Sequence, residues 1–563
     1  MSAKAHVQPV YFEKFHSNYP NVYKSTSIFH NYPNSRAFST TTAFPSDASV
    51  AEQLPSILDC PENTPRICIV GSGPSAFYTA KYILQTVPEC RIHIIERLPI
   101  PFGLVRHGIA PDHPEAKAVT NDFTKSVIDD PRVTLVCNVD VGADMSLADL
   151  QQTYNAVILA VGASGSRSLG IPGEDSPGVL DARHIVAWYN GHPDYSTMLP
   201  LRNAKRVVIV GNGNVSLDVA RIILATPSVL VNTDIPLPVR AELDKHTVSS
   251  VHICARKPVT GAAWTIAELR EILTMLTRDG GRVEDPLELS HDISSWRQGS
   301  SRAVQYHLHI HGASVDPEDP AMAARPIKRK TELLMGTAGT NVHWHSGHGT
   351  EGEREAETAI GVSNGVEHRH LHLHFGTTPT EVLTGEGPLT DALLVHARAS
   401  GDNIPEMEVP IPSVGVDAGR VLVVKSIGYR TLPVEGAPID PKRHVIPTVN
   451  GRVPDCAGVY AVGWASRGPT GIVGTHIGEA RALSGVVAED VSAAGESHAK
   501  KPTKSLSVLW GGLYKAVVGR EGWTQIDAAE RELGQRVGVQ GREGWLASVK
   551  LSSWEEQVNA SRK

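Results

Sequence analysis

No C-x-x-C pair and no cysteine cluster occurs in this chain: the six cysteines, Cys60, Cys68, Cys90, Cys137, Cys254 and Cys456, stand far apart. That spacing counts against a redox-active dithiol and against a four-cysteine iron–sulfur or zinc centre. Cys68, Cys137 and Cys254 fall in apolar, strand-like runs, where a thiol acts as a small hydrophobe in a reducing compartment. No apolar run approaches the roughly 18 residues needed to span a bilayer. An excess of positive charge is missing too: 53 Lys and Arg against 60 Asp and Glu leave a net charge of −7, which argues against a general nucleic-acid binder. Hydrophobic residues at 41% and charged residues at 20% are ordinary for a globular protein. A length of 563 residues exceeds one core and predicts two or three domains.

Two stretches carry the chemistry. Arg66 to Lys81 reads RICIVGSGPSAFYTAK, an apolar run entering Gly71, Gly73 and Ala76 and then helix-forming residues. This is the strand-turn-helix of a dinucleotide site: Gly71 for the tight turn, Gly73 for close approach of a pyrophosphate to backbone N–H groups, Ala76 for helix-on-strand packing. The strand RIHIIER follows and ends at Glu96, at the spacing where a carboxylate accepts from ribose hydroxyls. Arg206 to Arg221, RVVIVGNGNVSLDVAR, repeats the design with Gly211, Gly213 and Ser216. Its following strand, Ser250 to Ala255, ends at Arg256 and Lys257 rather than at an acid, which predicts binding of a 2′-phosphate and so of NADP. The helix expected from Thr265 to Leu276 opens with Thr265 and Glu268 at capping-box spacing, which explains Glu268 without a ligand.

Other segments say less by themselves. Residues 1–60 lack periodicity, and Lys4, Lys14, Lys24 and Arg36 face the single acid Glu13 before Phe44, a pattern that reads as a mitochondrial transit peptide and disordered lead. Pro101 to Glu115, PFGLVRHGIAPDHPE, suits either a flavin-lining loop or an ordinary Ω-loop. Arg325 to Lys330, RPIKRK, is the densest basic cluster, with Arg325, Lys328 and Arg329 on one helical side. In YHLHIH (306–311) and EHRHLHLHF (367–375), alternation puts His368, His370, His372 and His374 on one strand face and Leu371, Leu373 and Phe375 on the other. With no Cys or carboxylate to complete a ligand set, the histidines read as the polar outer face of an edge strand, and no metal is expected. The late strand and Gly-rich turn from Gly458 to Glu479 imply that the chain returns to complete the first domain.

The runs IVGSGPSAFYTA, PFGLVRHGIAPDHPE, GNGNVSLDVAR, RPIKRKTELL, KSIGYR and GWASRGPTGIVGT together resemble the mitochondrial adrenodoxin reductase, or NADPH:ferredoxin reductase, family, and in particular its fungal members. The resemblance implies an α/β fold of two Rossmann-like domains, with the NADP domain inserted into a discontinuous FAD domain: 61–164 and 416–563 for FAD, 165–415 for NADP, with insertions near 285–318 and 336–366. It implies FAD contacts at Gly71, Gly73, Ser75, Ala76, Glu96, Leu104, Val141, Trp464, Gly471, Ile472 and Val473. NADP contacts are implied at Asn212, Gly213, Asn214, Val215, Arg256, Lys257, Glu268 and again Gly471. His113 and Asp218 match positions supporting the flavin and nicotinamide environment, and Arg325, Lys328 and Arg329 match cations that dock an acidic [2Fe–2S] ferredoxin. Where the family usually has Arg-Arg-Gly-Pro, this chain has Arg256-Lys257-Pro258-Val259, so one bidentate fork is lost while its charge remains. The implied activity is electron transfer from NADPH through FAD to ferredoxin, in the mitochondrial matrix or peripheral to the inner membrane, supporting iron–sulfur cluster and haem A biosynthesis or cytochrome P450 systems. The alternatives are a glutamate-synthase-like small subunit, disfavoured by the scattered cysteines, and a non-catalytic FAD-binding scaffold.

Overall fold

A computed structural model describes residues 46–61, 63–277, 282–283, 303–313, 319–337, 342–345, 362–363, 366–384, 393–401, 404–410, 420–493, 498–540 and 548–562. The stretch read as the transit sequence, up to residue 45, lies outside them, as does most of the two insertions. The first sheet begins with β1 (Arg66–Val70), β2 (Arg91–Glu96), β3 (Val133–Cys137) and β4 (Ala156–Leu159). Their near-continuous apolar runs are those of parallel strands covered on both faces, and Ile67, Cys68, Ile69, Ile92 and Ile94 are fully buried.

The chain then crosses to a larger sheet made from β5 (Val179–Asp181), β6 (Ala204–Val210), β7 (Ser250–Ala255), β8 (Ala303–His311), β9 (Val342–His345), β10 (Val366–Phe375) and β11 (Arg420–Lys425). The order along these seven is β9-β8-β10-β7-β6-β11-β5, all parallel, and two short strands join antiparallel, Arg282–Val283 on β8 and Val362–Ser363 on β10. A separate antiparallel meander, 377–384, 393–401 and 404–410, follows β10. Finally β12 (Val459–Ala461) pairs in parallel with β4, giving the first sheet the order β12-β4-β1-β2-β3. The second unit is thus inserted into the first. The outgoing and returning backbones pair with each other where they cross, Gly165–Ser166 against Tyr429–Arg430.

Three expectations are corrected. β11 belongs to the larger sheet, between β6 and β5, so the return to the first domain comes after residue 425 rather than at 416. The lead up to residue 60 is not wholly outside the fold: Val50 and Ile57 are fully buried, and the Val50 N–H donates to the Leu513 carbonyl at 2.8 Å. The apolar side chains at 50 and 57 were the available signal. β10 is no edge strand, since β8 and β7 flank it, and His370, His372 and His374 are buried.

A buried ionic network holds the inserted unit to both parts of the first. Asp234 is 4% exposed and accepts from Lys117 Nζ at 2.8 Å and from Lys550 Nζ at 2.9 Å. Lys550 also donates to the Arg106 carbonyl at 2.9 Å and to Asn190 Oδ1 at 3.1 Å. The two ammonium groups hold the Asp234 carboxyl far below the usual carboxylate range despite its burial. Removing one partner of such a set strands buried charge, which costs about 3–5 kcal/mol. Asp234→Ala is therefore expected to lower the thermal unfolding midpoint by several degrees, a loss that differential scanning calorimetry of the flavin-loaded protein would register; an unchanged midpoint would show the network to be energetically neutral.

Candidate functional site

Each glycine cradle is shaped by contact with the neighbouring strand's exit. Gly71 follows β1 at φ +100°, and a Cβ there would lie 2.6 Å from the Ala160 carbonyl oxygen just past β4. Gly211 follows β6 at φ +121°, where a Cβ would lie 2.2 Å from the Ser426 carbonyl oxygen just past β11. Neither position admits a side chain. Gly73 and Gly213 differ, because a Cβ at either would meet nothing within 4 Å. Each of these is the N-cap of a helix with no side-chain cap, α1 (Pro74–Thr86) and α2 (Asn214–Leu224). Uncapped N–H groups at a dipole's positive end, with free space before them, fit the pyrophosphate of a dinucleotide.

At the first cradle, Glu96 Oε2 accepts from Ser72 N at 2.9 Å and Ser72 Oγ at 2.7 Å, while Oε1 accepts from Leu98 N at 2.9 Å. The carboxylate is thereby fixed and retains lone pairs for ribose hydroxyls. The returning chain reaches this cradle directly: a Cβ on Gly463, at φ +70°, would lie 2.6 Å from Ser75 Cβ. Trp464 Nε1 donates to the Thr470 carbonyl at 3.0 Å and closes the turn that presents Gly471, Ile472 and Val473. Ile472 stands 77% exposed there. Ala76 is fully buried and Ser75 nearly so, while Leu104 and Val141 are half-buried. Leu104 opens a short helix, Leu104–His107, so the segment containing Phe102, Val105 and Arg106 is a packed element rather than a surface loop.

At the second cradle, Asn212 Nδ2 is buried with no hydrogen-bond partner among the described residues, and so is Glu268 Oε2. The expected capping box does not form in helix α3 (Ile266–Thr277): the Thr265 N–H is taken by Asn214 Oδ1 at 2.8 Å. Glu268 is thus not explained by capping, and its orphaned oxygen, an acceptor, with the orphaned Asn212 amide nitrogen, a donor, fits a polar ligand. Arg256 and Lys257 are exposed past β7, and neither forms an ion pair among the described residues. No hydrogen bond among the described residues joins the Gly471 turn to Asn212–Val215.

His113 and Asp218 do come together, through a residue that sequence reasoning passed over. Arg221 Nε donates to Asp112 Oδ2 at 2.7 Å and Nη2 to Asp112 Oδ1 at 3.1 Å, while Nη1 lies 3.0 Å from Asp218 Oδ1. His113 Nε2 meets Glu271 Oε2 at 2.9 Å. Burial pushes Asp218 up to about 6, with Arg221 opposing the shift. The cluster spans both domains, and Glu271 sits one turn beyond Glu268 on α3. Asp112, Arg221 and Glu271 were visible in PDHP, in VAR and in the AELREI run only as charges beside the named residues.

The basic run forms helix α4 (Arg325–Met335), with Arg325, Lys328 and Arg329 exposed on one side. Lys328 pairs loosely with Glu332 at 3.9 Å. Lys330 turns inward and donates to the Ala262 carbonyl, which fastens α4 to the segment following Arg256 and Lys257.

The sequence matches the family model described as pyridine nucleotide-disulphide oxidoreductase over residues 65–251. The chain is similar to NADPH:adrenodoxin oxidoreductase, mitochondrial, of Arabidopsis thaliana, 34% identical over 88% of this chain and 95% of that one. It is also similar to the probable NADPH:adrenodoxin oxidoreductase, mitochondrial, of Schizosaccharomyces pombe, 31% identical over 84% and 92% respectively. Among solved structures, Mycobacterium tuberculosis FprA in complex with NADPH is 30% identical, with a TM-score of 0.67 covering 89% of this chain and 100% of that chain.

The open space at Gly213 gives a direct check on the cradle. Gly213→Val is expected to leave the unfolding midpoint within about 1 °C, since no protein atom lies within 4 Å of the new Cβ, yet to weaken NADPH binding at least tenfold by isothermal titration. Equal loss of stability and binding would mean that the space is structural.

Proposed function

This chain belongs to the NADPH:adrenodoxin oxidoreductase family, and from that premise we propose how its residues divide the work. It is an FAD-dependent oxidoreductase that takes electrons from NADPH and passes them to a ferredoxin of a mitochondrial system. When bound, FAD supplies the exchange between two-electron and one-electron chemistry that such a transfer needs. The chain's own residues bind, orient and screen.

The observation that carries the assignment is the asymmetry between two equivalent cradles: a fixed carboxylate, Glu96, follows the first, and two exposed cations, Arg256 and Lys257, without an ion pair among the described residues, follow the second. The first, with Gly71, Gly73, Ser75, Ala76, Leu104 and Val141 and with Trp464, Gly471, Ile472 and Val473 from the returning chain, takes FAD. The second, with Asn212 to Val215 and Glu268, takes NADPH, and Arg256 forks the 2′-phosphate while Lys257 adds an unforked charge. His113 and Asp218 act as supports at the seam: the Arg221 fork on Asp112 positions them, and burial raises the Asp218 carboxyl above the usual carboxylate range. Arg325, Lys328 and Arg329 meet an acidic face of a [2Fe–2S] ferredoxin. The chain acts in the matrix or against the inner membrane, supplying iron–sulfur cluster and haem A synthesis or cytochrome P450 systems; no helix among the described residues is long and apolar enough to cross a membrane.

Purified protein should be yellow, should bleach anaerobically with NADPH, and should reduce cytochrome c only when ferredoxin is added. Colourless protein, or equal use of NADH, would sink the reading. Arg256→Glu is expected to raise the Michaelis constant for NADPH by about 10–100-fold, the worth of a charge-assisted hydrogen-bond pair, and to leave that for NADH within about twofold; equal effects would remove the phosphate role. Arg325→Glu with Arg329→Glu should raise the Michaelis constant for ferredoxin about tenfold at low salt, less at high salt, with NADPH-dependent dye reduction intact. Parallel loss of dye reduction would rule out docking as the cause.

A further inference from the structure

One face of the larger sheet is lined with imidazoles. β8 and β10 carry a histidine at alternate positions, and parallel in-register pairing turns that alternation into rows: His309 beside His372, and His372 beside His252, across three adjacent strands. The rings stack at 4.2 Å in both pairs, with interplanar angles of 9° and 10°. His311 over His374 at 4.3 Å and His307 over His370 at 4.6 Å make the rows on either side. The opposite face of the same strands carries Leu371, Leu373 and Phe375 in the apolar core. The histidines are therefore interior: His252 is 1% exposed, His372 4%, His370 6%, and His309 and His374 7% each.

Nitrogen atoms converge diagonally between the rows. His252 Nδ1 lies 3.1 Å from His374 Nε2, and His309 Nε2 lies 3.1 Å from His370 Nδ1. One ring nitrogen from each of His252, His372 and His374 falls within 4.8 Å of the other two, as does one from each of His309, His370 and His372. Metal–nitrogen bonds of about 2.0–2.1 Å in a tetrahedron separate ligand nitrogens by about 3.4 Å, so ring rotations of modest size close either triad. His252 Nε2 and His370 Nε2 are buried with no hydrogen-bond partner among the described residues.

We propose that this stack is a metal site, holding one divalent transition-metal ion of the zinc class through three imidazoles, with His372 as the ligand common to both triads. A neutral imidazole offers one lone pair, so the shared ring restricts the stack to a single ion. A donor set of nitrogens, with no carboxylate in either triad, selects zinc, cobalt, nickel or copper over magnesium or calcium. The set that carbonic anhydrase uses, three histidines with a fourth position for water or another ligand, needs no thiolate. That removes the objection drawn from the sequence. Such an ion staples β10 to β7 or to β8, and β7 ends at the loop that presents Arg256 and Lys257. It uses no residue of either glycine cradle and does not depend on the assignment of either.

The test uses full-length, untagged, flavin-loaded protein stripped with a chelator and titrated anaerobically with Co²⁺. One equivalent is expected to give a visible absorption band typical of tetrahedral nitrogen-ligated cobalt in the difference spectrum, abolished by one equivalent of Zn²⁺ and untouched by millimolar Mg²⁺. His372→Gln should remove the band while retaining flavin absorbance and NADPH-dependent dye reduction. His252→Gln and His370→Gln each dismantle one triad, and loss with either one identifies the triad in use. Absence of a stoichiometric band in the wild-type protein overturns the proposal whether or not the variants fold. So does a band that Mg²⁺ competes away, or one undiminished in His372→Gln.

Discussion

Everything in the site depends on two backbone contacts that leave no room for a side chain: Gly71 against the Ala160 carbonyl and Gly211 against the Ser426 carbonyl. In each domain the strand entering the cradle lies beside the strand whose exit closes it, β1 with β4 and β6 with β11. That proximity sets where the next helix begins and hence where its uncapped N–H groups point. The equivalence of the two contacts, formed from like cradle sequences against unlike strand exits, means that the two nucleotide sites are one device built twice. The two differ in the residue type at the end of the next strand, Glu96 in one and Arg256 with Lys257 in the other.

The cradles, their strands and the return of the chain to the first sheet were legible because they rest on local pattern: an apolar run, glycines at fixed offsets, an apolar run again. What escaped was set by neighbours far away in sequence. β11 reads as a strand from RVLVVK, but only register with β6 decides which sheet it joins. The histidine strand reads correctly as alternating, yet alternation cannot say whether the polar face meets water or another polar face. Here β8 supplies a matching imidazole at His370, His372 and His374, so that part of the polar layer is interior. Glu268 had a sufficient local explanation in the capping box, and that explanation fails because Asn214, brought beside it by the cradle, takes the Thr265 N–H.

Ion pairs cross between the two domains at more than one place. Asp234 lies in the inserted unit, while the ammonium groups on it come from Lys117, before the insertion, and Lys550, after it. Arg221 repeats the theme at the seam, reaching from α2 to Asp112 in the first domain. Lys330 does the same within the inserted unit, tying the exposed cations of α4 to the segment that follows Arg256 and Lys257.

The place of β12 has a consequence for how the molecule is made. The first sheet cannot be completed until a strand arrives from far downstream; Gln151, beside β4, contacts Ala457, beside β12, across 306 residues. Closing so long a loop unaided is slow. The inserted unit holds most of its strands between these points, so its folding shortens the effective loop and delivers β12 to β4. Until then β4 is an open edge able to pair with another chain. A polypeptide emerging N-terminus first must therefore finish its second nucleotide domain before its first, and the window in which β4 stands bare is set by how quickly the insert folds.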